Sequence, residues 1–339
     1  MPMVSINLVT FNSKKFLENC LNSVFDQTFR DFQVMVVDNA SMDGTVDYIK
    51  KNFPKVYILR NNQNQGFSGA HNQAIELSRH SKYILLTNPD IILVPDFLEK
   101  AVAKMESDAS LGSLGGKLRK VRSVMDGDFV ESEKTQVIDT TGLSMLRNGA
   151  FVERGTGETD LGQYDTDEEV FGVSGALCLY RTQALESIRW EGEYFDRDFF
   201  VYQEDVDVAW RLALGGWKSW YLPAAMAYHY RGAESPGTWS QWEIIKNRRR
   251  KSALVNYCSY RNHFYLLVKN LYWSNFFRYL PFIAFYEFRR FVYIVLFETR
   301  TLRAFADIAG NFPKMLRKRR GIMAGSKITA REVRAWIQK

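Results

Sequence analysis

The chain has 339 residues, 46% of them hydrophobic and 24% charged, with a net charge of +7. That length suits one large globular domain or two, and the positive balance suits an anionic partner such as a phosphorylated substrate, a nucleic acid or a membrane surface. Cys20, Cys178 and Cys258 are odd in number and widely spaced, so they form neither a disulfide framework nor a zinc motif, and a reducing compartment follows.

Residues 3–10 are apolar and β-branched and read as a strand rather than an export peptide. A turn at Thr10, Phe11 and Asn12 follows, and Ser13 can cap a helix over residues 14–26 that carries Phe16, Leu17, Cys20, Leu21 and Val24 on one face. A second strand over 32–37 runs into Asp38, Asn39 and the turn to Asp43-Gly44-Thr45; a helix to residue 51 and a third strand over 56–60 come next. Strand alternating with helix predicts a parallel, right-handed βαβαβ unit. Asn61–Asn72 is rich in turn formers and leads to a helix over 70–79.

Residues 83–90, YILLTNPD, form the apolar run around which the rest is arranged. Pro89 has no N–H for a sheet ladder, so the strand ends there and Asp90 stands at its carboxyl end, where open α/β sheets hold ligands. Asp90 is thus a candidate ligand for a hard cation, or alternatively a cap for a helix starting near Pro95. No glycine-rich dinucleotide fingerprint follows the first strand and no Walker loop occurs, which disfavours an ordinary NAD enzyme or P-loop ATPase.

Farther on, residues 111–130 read as a turn and strand pair around Gly115-Gly116, and the polar, acidic stretch 131–170 reads as an inserted functional loop. Ser174-Gly175-Ala176 precede a strand over 177–181. Glu204 and Asp205 open a helix, where carboxylates suit the helix dipole, and a strand then leads to His229. From about residue 240 the chain becomes helical, aromatic and basic. Residues 276–297 are apolar but interrupted by Arg278, Glu287, Arg289 and Arg290, which fits a helix in the membrane interface better than a crossing one; the basic runs 246–251 and 314–320 would attract anionic lipid.

Chemically, Asp38 is placed to accept hydrogen bonds from a base or ribose. Asp90 and His229 could hold a divalent cation on a diphosphate, and Asp205 could take a proton from an acceptor hydroxyl.

Taken in order, VSINLVTFN, VVDNASMDGT, NQGFSGAHNQAI, LLTNPDI, VSGALCLYR, FFVYQEDVDVAWRL and AYHYRG resemble the family 2 inverting glycosyltransferases, nearest to their rhamnosyltransferase-like branch, over residues 3–235. The resemblance implies a glycosyltransferase A fold, an α/β architecture with a Rossmann-like mixed sheet, over residues 1–240, with a helical, membrane-associating extension over 241–339. It implies that Thr10, Phe11, Asn12, Asp38, Asn39, Asp43, Asn64, Gly66, Phe67, Asn72, Asn88 and Asp90 hold a nucleoside-diphosphate sugar. Asp90 and His229 would bind Mg2+ or Mn2+, Asp205 would be the base with Glu204 beside it, and Ser174, Gly175 and Ala176 would border the acceptor. Where many relatives have two aspartates this chain has Asn88-Pro89-Asp90, leaving one strong ligand. A thymidine-diphosphate rhamnose donor, a lipid-linked or polysaccharide glycan acceptor in the cell envelope, no nucleic acid partner, and a peripheral position on the cytoplasmic face of the inner membrane complete what the resemblance implies. A nucleotidyltransferase and a non-catalytic membrane or nucleic-acid binding protein are the alternatives.

Overall fold

The computed structural model describes residues 1–126, 129–230, 248 and 252–338. The expected boundary at residue 240, Arg231 and Gly232, and the basic run 246–251 apart from Arg248 lie outside the described residues.

The first half alternates as its pattern predicts. Strand β1 (Val4–Thr10), helix α1 (Lys14–Phe25), β2 (Phe32–Asp38), α2 (Thr45–Asn52), β3 (Tyr57–Arg60), α3 (Gly66–Ser78) and β4 (Tyr83–Thr87) build a parallel block. In that block β1 lies between β2 and β4, with Thr10 opposite Asp38 and Leu8 opposite Thr87. Each residue of β4 is buried, as befits a strand covered on both faces. Helix α3 starts four residues before the expected position, because Gly66 in the left-handed region (φ +72°) lets the chain turn into it. Beyond β4 the short strand β5 (Ile91–Leu93) precedes α4 (Phe97–Ser107).

Gly115 and Gly116 make no turn; both lie inside one long strand, β6 (Leu111–Asp126). A Cβ on Gly116 would stand 1.9 Å from the carbonyl oxygen of Ala225, so glycine there permits close approach of a neighbouring strand. The stretch 131–170 is half strand, in four pieces: β7 (Phe129–Thr140), β8 (Leu143–Leu146), β9 (Phe151–Glu153) and β10 (Glu168–Val170). Its polarity is misleading because several of its polar residues point inward; Asp139, Thr140, Thr141 and Ser144 are buried. Asp160 bonds the buried ammonium of Lys117 at 3.0 Å and also holds Arg119.

Strand β11 (Leu177–Arg181) runs antiparallel to β4 and β6, and β12 (Lys218–His229) runs parallel to β6 and antiparallel to β5 and β10. The result is a ten-stranded mixed sheet in the order β10-β12-β6-β11-β4-β1-β2-β3, with β5 on β12 and β7 on β6. Helix α5 (Thr182–Ser187) follows β11, and α6 (Glu204–Leu214) precedes β12.

The extension contributes α7 (Ala253–Asn270), α8 (Trp273–Phe297), α9 (Arg303–Ala324) and α10 (Ala330–Ala335). Helix α8 turns an apolar face outward, with Phe277, Phe285 and Phe288 exposed by 66%, 65% and 63%. Its polar Glu287 and Arg290 face α7 instead, bonded to each other and, through Glu287, to His263 at 3.0 Å. Among the described residues no helix is long and apolar enough to cross a membrane. The run 314–320 is not a free basic tail: Lys318 and Arg319 are buried, Lys314 pairs with Asp198 and Arg317 with Glu191.

Buried charge ties this extension to α6. Lys269 of α7 contacts Asp196 at 2.5 Å and Asp207 at 2.8 Å; Lys318 of α9 contacts Asp196 at 2.6 Å and Asp198 at 2.7 Å. Burial works to raise the Asp196 carboxyl, but the two ammonium groups outweigh it and hold its pKa well below the usual range. Replacing Asp196 by Ala leaves these buried lysines short of a partner, and urea titration should show a loss of about 3–5 kcal/mol. Because the folded-state value is depressed, the stability Asp196 provides is complete above about pH 4 and is lost progressively as acidification proceeds from there through that lower value.

Candidate active site

The site lies along the carboxyl edge of β1, β2 and β4. At its nucleotide end, Thr10 Oγ1 donates to Asp38 Oδ1 at 3.0 Å and the Ser41 amide donates to Asp38 Oδ2 at 3.0 Å. Asp38 is fully buried, so its carboxylate shapes the loop 39–41 at least as directly as it faces a ligand. Asn39 donates to the Gly66 carbonyl and accepts from Asn61 and the Gln65 amide, joining the β2 loop to the start of α3. Asn64 accepts from the Gly66 amide at 2.8 Å. Asn12, itself left-handed (φ 51°), accepts from the Met42 amide, and Phe11 stands exposed beside it. Phe67 packs on His71, whose rings lie 4.1 Å apart.

Two residues expected to hold a nucleotide are engaged elsewhere. Asp43 accepts from the Lys14 amide at 3.0 Å and from the Thr45 amide and hydroxyl at 3.1 and 2.6 Å. It therefore serves the first turns of both α1 and α2, the role expected of Ser13, whose hydroxyl caps no helix amide and instead bonds to Phe11. Burial would raise the Asp43 carboxyl; these hydrogen bonds outweigh that and lower it. Asn72 is buried with its amide on the Phe195 carbonyl (2.7 Å) and its carbonyl accepting from the Tyr194 and Phe195 amides (3.0 and 2.8 Å). It clasps the 194–195 backbone because an amide matches an adjacent donor and acceptor pair there.

At the other end Asp90 keeps 24% of its side chain exposed, with Oδ1 3.4 Å from His229 Nε2. Behind the imidazole, Nδ1 lies 2.8 Å from Asp139 Oδ2. Burial lowers the pKa of His229, but hydrogen bonds to Asp139 and Asp90 outweigh it and lift the ring to about 9. Asp139 escapes the sequence reading because it lies 90 residues before His229; the one signal was an acid directly after the apolar pair Val137-Ile138.

No group of three or more potential ligands occurs among the described residues. The donor pair nevertheless fits a divalent cation that also takes oxygens from a diphosphate and water. A 3.4 Å separation suits two neighbouring ligands each about 2.1 Å from an ion, and the carboxylate behind the imidazole is the usual support for a ligating histidine. Binding would displace the imidazole proton.

The acid pair divides sharply. Asp205 Oδ2 accepts from the Gly175 amide at 2.9 Å, where a Cβ would lie 2.8 Å from that of Asp205. The next carbonyl, Ala176, accepts from the Asn88 amide at 2.9 Å, so Asp205, Gly175, Asn88 and Asp90 follow one another along the edge. Ser174 is buried and donates to Glu153 at 3.0 Å. Glu204 turns inward and is buried; burial, then the neighbouring Asp205, drives its carboxyl well above the usual range. The loop before them is strained: Phe200, Tyr202 and Gln203 all have positive φ (63°, 70° and 68°), at about 1–3 kcal/mol each.

Comparison with known proteins matches residues 5–189 to the model of glycosyl transferase family 2. The chain is 28% identical over 250 residues to an N-acetylglucosaminyl-diphospho-decaprenol L-rhamnosyltransferase of Mycobacterium tuberculosis, covering 70% of this chain and 78% of that one. Among solved structures it is similar in fold to residues 1–349 of S. aureus TarS (TM-score 0.56, 17% identity, 92% of this chain and 80% of that one). It is also similar to GalNAc-T7, crystallised with UDP, GalNAc and Mn2+ (TM-score 0.55, 12% identity, 79% and 48%).

Asn72→Ala should leave the Tyr194 and Phe195 amides unbonded, each at about 1–3 kcal/mol, and lower the unfolding free energy measured in urea. A variant as stable as the parent would show that these bonds do not hold the 194–195 backbone in place.

Proposed function

The chain belongs to glycosyl transferase family 2 and is a glycosyltransferase, and from that premise we propose that it inverts the anomeric centre of a nucleoside-diphosphate sugar, rhamnose in the first instance, onto a hydroxyl of a lipid-linked glycan. The observation that carries this reading is the run of contacts linking Asp205, Gly175, Asn88, Asp90 and His229 along one sheet edge. An attacking hydroxyl and a departing diphosphate need groups of these two kinds, a base and an anion-stabilising site, within one substrate's reach.

In this reading the acceptor oxygen attacks the anomeric carbon while the bond from that carbon to the diphosphate breaks. The electron pair leaves with the nucleoside diphosphate, and the acceptor proton passes to Asp205. Hydrogen bonding from the Gly175 amide holds the Asp205 carboxylate toward the cleft. Asp90 and His229 are the residues that would hold Mg2+ or Mn2+, which when bound offsets charge on the departing diphosphate. Thr10, Asn12, Asn39 and the Gly66 turn form the nucleotide end. The relatives' activities support a glycan acceptor in the cell envelope, and a prenyl-diphosphate-linked N-acetylglucosamine is the acceptor to try first.

A lipid-linked acceptor agrees with the outward aromatic face of α8, which with exposed Arg278 and Arg289 suits shallow burial in an anionic bilayer at the cytoplasmic face. The helices from α7 onward would then be the membrane-facing region. In the basic run 314–320, Lys318 and Arg319 are buried and Lys314 and Arg317 are exposed but paired with acids, which reduces its part in that attraction.

A screen of nucleotide sugars, with mass spectrometry of the lipid product, tests the assignment; release of pyrophosphate in place of a nucleoside diphosphate would replace it with nucleotidyl transfer. Asp205→Asn should cut transfer by at least about 1000-fold while calorimetry finds donor binding nearly unchanged. Phe285→Glu with Phe288→Glu should weaken sedimentation with anionic vesicles about tenfold or more, and equal sedimentation would remove α8 from membrane contact.

A further inference from the structure

Asn262 belongs to none of the motifs above, yet it touches the strained loop that precedes the acid pair. It sits fully buried on α7. Its amide nitrogen lies 2.9, 2.9 and 2.7 Å from the carbonyl oxygens of Phe199, Val201 and Tyr202, so its two N–H groups serve all three, one of them shared. Its side-chain oxygen accepts from Arg261 at 3.1 and 3.0 Å, and Arg261 in turn donates to the carbonyls of Asp198 and Phe199.

These carbonyls frame Phe200, Tyr202 and Gln203, the three left-handed residues immediately before Glu204 and Asp205. Side chains other than glycine hold such angles only when their surroundings over-determine them. Here the surroundings close from two sides. From α3 the Ser68 amide donates to the Phe200 carbonyl at 3.3 Å, and a Cβ on Gly66 would stand 2.5 Å from Phe200. From α7 comes the Asn262 amide.

We propose that Asn262 is a positioning residue for catalysis: by clamping residues 199–202 it fixes where α6 begins and so where the Asp205 carboxylate points. The proposal rests on Asp205 being the base. It gives the helical extension a part in the chemistry, apart from any role at a membrane. Loss of the clamp lets the three residues relax toward ordinary angles, which rotates the first turn of α6. The nucleotide end keeps its own bonds, Thr10 to Asp38 and Asn39 to Gly66. Turnover should therefore suffer far more than donor binding, which the loop touches only where Phe200 meets Gly66 and Ser68.

The test uses the full chain carrying Asn262→Ala, Asn262→Ser, which keeps one donor, or Asp205→Asn. Hydrogen exchange needs no substrate: in Asn262→Ala the amides of 200–206 should exchange faster while those of β4 keep their protection, and unchanged exchange there overturns the proposal. With thymidine-diphosphate rhamnose and an N-acetylglucosaminyl prenyl diphosphate, kcat per folded molecule should fall about 100-fold, with the donor KM within about twofold of the parent. Asn262→Ser should fall between the two. Faster exchange with an unchanged kcat would leave Asn262 a purely structural residue and remove the positioning role alone. Transfer retained by Asp205→Asn would remove the base, and the positioning role with it.

Discussion

Two buried carboxylates, one shortly before α6 and one on it, govern how this molecule is assembled. Asp196 and Asp207 lie out of water, and a buried anion without a cation is costly enough to prevent docking. Their cations are Arg211 on α6 itself and two lysines that arrive 73 and 122 residues after Asp196, from α7 and α9. Asn270 adds an amide to Asp207 at 2.8 Å. The helical extension is thus fastened to the one helix whose first turn bears the acid pair. Attraction in such a place is directional, and it selects one seating of α7 and α9 where apolar contact alone would tolerate sliding.

The sheet provides the other half of the arrangement. Parallel strands deliver β1, β2 and β4 to the same edge, and antiparallel β11 brings residues 174–176 to that edge from the opposite direction. Strand β12 then returns beside β5 and sets His229 opposite Ile91, next to Asp90. Residues separated by more than a hundred positions meet because strand direction and register leave them nowhere else to go.

Much of this was legible beforehand. The alternation to β4, the stop at Pro89 and the carboxylates at the head of α6 follow from periodicity and from the absence of an N–H on proline, and collinear motifs pointed to the family fold. Other features were hidden for definite reasons. Composition cannot tell a solvated acid from Asp139, which is buried and matched to a partner on another strand. Nor does it separate a turn glycine from Gly116, needed for a backbone passing close by. Asn72 and Asp43 have the residue types of ligand holders, yet backbone groups engage them, for Asn72 more than 120 residues farther along the chain. The run 314–320 reads as a basic tail because its acidic partners, Glu191, Asp196 and Asp198, lie far back in the chain.

The thiols behind the cleft have a consequence of their own. Cys20 packs beneath the Asp90 turn, its sulfur 3.7 Å from the Asn88 carbonyl, and Cys178 lies on β11 just past Gly175. Burial, then the adjacent Asp90 for Cys20 and Asp205 for Cys178 among the upward influences, pushes both thiols far above their ordinary range. Sulfur so firmly protonated is a poor nucleophile toward peroxide or alkylating reagents. The ground beneath the two acids is thus furnished with buried thiols of low reactivity.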